Sequence, residues 1–148
     1  ANFSEDFEPG TLAGAKGTYP AVDPAATAEF RAALEAFVIA SGAPALKEFT
    51  YAPESYDATI LLALAALQAG STAGPDVAAN LQSVSGADGG TKCTTFAECA
   101  DLINAGEVAD YDGVSGAINF NEVGDPTEAT IGIFEYGDDN NYGFVEIG

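Results

Sequence analysis

The side chains of this 148-residue chain that could do chemistry are few: two cysteines, no histidine, and 23 carboxylates set against four basic residues. Both thiols fall in one stretch, Gly90-Thr-Lys-Cys-Thr-Thr-Phe-Ala-Glu-Cys-Ala. Within this chain a Ser-His-Asp triad or a Cys-His pair is excluded, because each needs an imidazole as base. A metal or redox site competes with a disulfide for Cys93 and Cys99. Two thiols without His cannot close a tetrahedral zinc shell unless carboxylates join them, and the spacing is not Cys-x-x-Cys. The local pattern favours the disulfide. Thr95 followed by Glu98 reads as a capping box, so a helix starts at Phe96, Cys99 falls in its second turn, and Cys93 lies where the incoming chain folds back. Such a bridge stabilises by roughly 2 kcal/mol through the short loop it closes. It also implies an oxidising compartment outside the cytoplasm.

The carboxylates carry no motif of their own. Asp110-Tyr-Asp-Gly and Gly137-Asp-Asp-Asn-Asn lack the alternating spacing and closing Glu of a calcium loop, and both read as turns. Gly14, Gly17 and Gly89-Gly90 are not followed by Lys-Ser/Thr and form no phosphate loop. Some pair among 23 acids always lies at a workable distance, so carboxylate-only catalysis has no specific support. The net charge of -19 repels phosphate backbones and anionic headgroups, which excludes nucleic acid as a partner and electrostatic docking on membranes.

The elements that must position these residues follow from periodicity. Asp23-Pro24 predicts a helix start, and Phe30, Ala33, Leu34, Phe37 and Val38 form one apolar stripe, stopped by Gly42 and Pro44. A turn at Phe49-Thr-Tyr-Ala-Pro leads into a helix from about Glu54 to Gly70, apolar at nearly every position from Ile60 to Leu67 and expected to be buried on all sides. A third helix is predicted from about Asp76 to Val84, and the cysteine-bearing helix runs to Gly106. The segment from Asp110 reads as a turn leading into a short strand. Ala129 to Tyr136 and Tyr142 to Ile147 read as a hairpin with a loop of about five residues. The expected order is one strand, four helices, then three strands. No apolar run reaches the roughly 20 residues of a membrane-spanning helix, and the acidic start, Ala1-Asn-Phe-Ser-Glu-Asp, has no signal-peptide pattern. The absence of Met leads to the expectation that the chain is a processed or excised piece.

Three stretches, Tyr56-Asp-Ala-Thr-Ile-Leu-Leu-Ala-Leu-Ala-Ala-Leu-Gln-Ala-Gly-Ser, Leu81-Gln-Ser-Val-Ser-Gly and Tyr111-Asp-Gly-Val-Ser-Gly-Ala-Ile-Asn-Phe-Asn-Glu-Val-Gly-Asp-Pro, carry a family resemblance. In order and spacing they resemble the carboxy-terminal part of extracytoplasmic solute-binding proteins of branched-chain amino acid ABC transporters. Gly14-Ala-Lys-Gly-Thr-Tyr-Pro resembles the crossover segment that precedes those motifs. The Cys93 to Cys99 insert departs from the family pattern.

The resemblance implies an α/β fold, the three-layer sandwich lobe of a two-lobed periplasmic-binding protein, present as a C-terminal fragment. Residues 1–19 would finish the second lobe, 20–120 would belong to the first, and 121–148 would return to the second. The all-apolar helix would then lie against a sheet supplied by other sequence. Tyr56 is expected to lay its ring against a ligand in the interlobe cleft, with Tyr51 and Glu54 at the rim; the competing reading packs Tyr56 on the core. Tyr19, Pro20 and Phe120 are expected as hinge positions. The implied function is non-enzymatic: binding a small amino-acid-like solute without a cofactor or metal and delivering it to a membrane permease, in the periplasm or at the cell surface. The partners would be that permease and the remaining N-terminal part of the parent chain. A secreted enzyme or a sensory receptor on the same scaffold is the alternative, and a surface interaction protein without a small ligand is a third.

Overall fold

The computed structural model describes residues 3–148, so the first two residues of the segment 1–19 lie outside the described residues. The chain divides into two compact units, one formed by Ala1–Ala45 with Thr130–Gly148 and the other by Leu46–Ala129. The fold is mixed α/β, with helices and small sheets, as the sequence implied.

In the discontinuous unit, β1 (Lys16–Pro20) pairs antiparallel with β5 (Ile131–Tyr136), which pairs antiparallel with β6 (Tyr142–Ile147). The expected hairpin is present. Its strands alternate aromatic residues onto one face, where Tyr19 stacks on Phe134 with ring centroids 4.0 Å apart and Phe134 meets Tyr142 edge-on at 5.1 Å. The Tyr19 hydroxyl donates to the Tyr142 hydroxyl at 3.0 Å. The loop after β5 is anchored by Asn140, which is fully buried with a left-handed φ of 56°. Its side-chain oxygen accepts from the Leu12 amide at 3.0 Å, and its Nδ2 donates to the Phe7 and Glu8 carbonyls at 3.1 and 2.9 Å.

Helix α1 (Ala28–Ala40) starts later than Asp23-Pro24 suggested. Asp23 does accept from the Ala25 amide at 2.8 Å, but this closes only a turn, and regular helix begins after Thr27. No residue of α1 is buried, and Phe37 is 71% exposed.

The contiguous unit contains α2 (Ala52–Ala69), α3 (Gly74–Val84), β2 (Thr91–Cys93), α4 (Phe96–Asn104), β3 (Ala109–Gly113) and β4 (Gly116–Ala117). Its sheet runs β2-β3-β4, with β2 parallel and β4 antiparallel to β3. The core is built from Leu61, Leu64 and Ala65 of α2, Val84 of α3, the two cysteines, and Ala109 and Tyr111 of β3. Three sequence expectations need correction. The segment from Asp110 is the buried strand β3 itself and not a turn before a strand: the Lys92 ammonium pairs with Oδ2 of both Asp110 and Asp112, while the Oδ1 atoms of both are buried without a hydrogen-bond partner. Strand β2 was not foreseen at all, being three residues long and mostly polar. Helix α2 also has an open flank, since Leu62 is 51% exposed while Leu61 and Leu64 are buried.

Cys93 and Cys99 form the expected disulfide, with Cα atoms 5.3 Å apart and both residues nearly excluded from solvent. The capping box is complete: Thr95 Oγ1 accepts from the Glu98 amide and Glu98 Oε2 accepts from the Thr95 amide, each at 3.2 Å. The Thr94 backbone N–H, donating to Glu98 Oε2 at 3.0 Å, is the main reason that this carboxyl is held below its ordinary pKa.

Candidate functional site

The residues expected to meet a ligand lie on the first turns of α2. Pro53 sits at the start of the helix, where its missing N–H costs nothing and its fixed φ suits the first turn. Ahead of it, Tyr51 is the N-cap and adopts a left-handed backbone, φ 59° and ψ 9°, with no side-chain cap bond. For an aromatic L-residue that conformation costs about 1–2 kcal/mol, and such strain concentrates at sites where a side chain must be aimed. Tyr51 is 51% and Tyr56 46% exposed. Glu54 stands between them in the first turn, where the helix dipole favours a negative charge. Its Oε2 is buried without a hydrogen-bond partner. Oδ1 of Asp110 and of Asp112 are in the same state.

The residue after Tyr56 belongs to a polar cluster that the sequence reading missed. Asp57 is fully buried one turn inside α2. Its Oδ1 accepts from the Tyr111 hydroxyl at 2.6 Å and the Val114 amide at 3.0 Å. Its Oδ2 accepts from the amide and the hydroxyl of Ser115, each at 2.6 Å. All four lone-pair positions of the carboxylate are thus used. Burial, then the hydrogen bond to Asp57, pushes the Tyr111 phenol far above its ordinary pKa, so it remains a donor. One signal for this site was present in the sequence: Pro53, Asp57, Leu61 and Leu64 share the inward stripe of α2. A carboxylate on such a stripe must find donors elsewhere in the fold.

The other predicted residues are placed elsewhere. Tyr19 and Pro20 end β1 in the discontinuous unit, and the Phe120 amide donates to Ser85 Oγ at 3.1 Å. Phe120 also lines a polar cavity of about 560 Å³, together with Gln82, Gly86, Asp88, Asn119 and Glu122. That cavity includes none of Tyr51, Glu54 and Tyr56. Among the described residues no three His, Cys, Asp or Glu side chains are grouped so as to hold a metal ion.

No curated protein and no solved structure gives a significant match to the chain. A family model does: the one described as "Receptor family ligand binding region" matches residues 24–139, which takes in the whole of the contiguous unit with Tyr51, Glu54, Tyr56 and the Asp57 cluster. The match covers most of the chain, and the chain is a member of this ligand-binding receptor family, with the type 1 periplasmic-binding fold.

Proposed function

We propose that the protein serves as the solute-binding component of an ABC importer, taking up a small amino-acid-like ligand outside the cytoplasm and handing it to a membrane permease. The observation that carries this reading is the α2 entrance: two half-exposed tyrosines, Tyr51 at the N-cap in a left-handed conformation and Tyr56 in the helix, and in the first turn Glu54, whose buried Oε2 has no hydrogen-bond partner. Aromatic faces pack the apolar part of a ligand and their hydroxyls orient its polar part. The unpaired Glu54 oxygen suits an ammonium group. The family match supports ligand binding as the activity, and the motifs quoted above support the branched-chain amino acid subtype.

In this reading the work is a population shift between open and closed forms, with no bond made or broken. The backbone rotations fall to the two chain connections between the units, at Ala45-Leu46 and in the segment from Phe120 to Thr130, and not to Tyr19-Pro20, which the pairing of β1 with β5 holds inside one unit. The remaining N-terminal part of the parent chain would supply the other contacts to the ligand. The buried disulfide fits an oxidising, extracytoplasmic location.

Calorimetric titration of the full-length protein with L-leucine and a panel of other unmodified amino acids tests the proposal. Saturable 1:1 binding that Tyr56→Ala weakens supports it. Turnover of a bound compound would favour an enzyme, and a response confined to a signalling partner would favour the sensory receptor that the family also includes by description.

A further inference from the structure

Asp57 and Tyr56 are consecutive residues on α2 but face opposite environments, Asp57 fully buried and Tyr56 46% exposed. The Asp57 carboxylate joins α2 to three points on another element: the side chain of Tyr111 on β3 and the backbone of Val114 and Ser115 in the turn between β3 and β4. With a fourth bond from the Ser115 hydroxyl, no lone-pair position is left for a ligand. There is no slack in the joint either, since a Cβ at Gly113 would lie 2.2 Å from Asp57 Oδ1.

We propose that Asp57 is a positioning residue for the ligand site: by locking the first two turns of α2 onto the β3–β4 turn, it fixes where Tyr56 is presented. This rests on the reading that Tyr56 contacts the ligand. Asp57→Asn keeps the side-chain volume but turns an NH2 group toward the Ser115 amide and so releases that half of the joint. Ser115→Ala removes one bond and leaves the carboxylate in place.

The experiment compares the full-length wild type, Asp57→Asn and Ser115→Ala at a temperature at which circular dichroism shows all three folded. L-Leucine affinity is read by calorimetry. The Tyr56 ring resonances are read in protein carrying 13C-labelled tyrosine, with Tyr56→Phe giving the assignment. Residues that couple to a site without touching the ligand change affinity by roughly 2- to 30-fold. A loss in that range for Asp57→Asn is expected, with a smaller loss in the same direction for Ser115→Ala and displaced Tyr56 resonances in both. A purely structural Asp57 would lower Tm and leave both affinity and Tyr56 resonances unchanged, and that result would overturn the proposal. If the wild type does not bind L-leucine, the branched-chain transport reading fails. The Tyr56 resonances then decide alone: displacement supports the positioning role and its absence overturns it.

Discussion

Gly113→Ala should be among the most damaging single-methyl additions in the contiguous unit. The new Cβ would stand 2.2 Å from Asp57 Oδ1, 2.3 Å from Asp57 Cγ and 2.5 Å from the Tyr111 hydroxyl. Gly113 does not have a positive φ, so backbone strain contributes nothing and the whole effect is steric. Room must come from moving a carboxylate held by four hydrogen bonds by about 1 Å, which breaks at least one of them. Overpacking costs about 1–3 kcal/mol, and a lost hydrogen bond to a charged group about 1.5–3 kcal/mol. Together they give a destabilisation of about 2.5–6 kcal/mol. Gly74→Ala is the control in the same unit: it opens α3, has nothing within 4 Å, and should be neutral or stabilising. Urea unfolding followed by far-ultraviolet circular dichroism measures both. If Gly113→Ala stays within about 0.5 kcal/mol of wild type, the range of ordinary surface changes, the rigidity assigned to the Asp57 joint is wrong.

The remaining predictions concern the other anchors. Replacing Cys93 and Cys99 together by Ala should lower stability by roughly 2 kcal/mol for a loop with a sequence separation of 6, seen as a lower urea midpoint; coincident curves would refute the staple. Thr95→Ala, which removes the cap accepting from the Glu98 amide, should cost about 1 kcal/mol by the same assay. The Glu98 carboxyl is depressed in the folded state, so its stabilisation is present above the unfolded carboxyl pKa and is lost as pH falls through the lower folded value. Glu98→Gln should therefore flatten the acid side of the stability profile below about pH 4.5, and an unchanged slope would count against the capping-box account. Asn140→Ala leaves the Leu12 amide and two carbonyls without their partner and should cost about 2 kcal/mol or more. Faster hydrogen exchange at Leu12 is its specific signature.

What the sequence disclosed was local. Thr95, Glu98 and both cysteines interact within a few residues, so spacing alone was enough to read the cap and the bridge. The β5–β6 hairpin was legible for the same reason: two apolar runs flank one polar loop. Strand β2 escaped because it exists only through its parallel pairing with β3, and no period can be read in Thr91-Lys-Cys. Strand β3 was misread because Asp110 and Asp112 look like turn residues until the Lys92 ammonium is placed between them. Tyr56 and Tyr51 could be singled out from the helix entrance, but the left-handed backbone of Tyr51 could not. Asp57 finds its donors 54 to 58 residues away, and single-sequence periodicity carries no information about that separation. The stripe of α1 was legible in part: Phe30, Leu34 and Val38 are half-buried as their spacing suggested, while Ala33 and Phe37 are exposed.

The pairing of β1 with β5 has a consequence for biosynthesis. Tyr19 lies opposite Gly132, so the sheet of the discontinuous unit cannot close until nearly the whole chain has left the ribosome. Residues 46–129 are complete well before that and contain their own core, disulfide and sheet. Because long loop closures are slow relative to local ones, the inserted module should mature first, leaving β1 as a waiting edge until the terminal hairpin arrives to cover it.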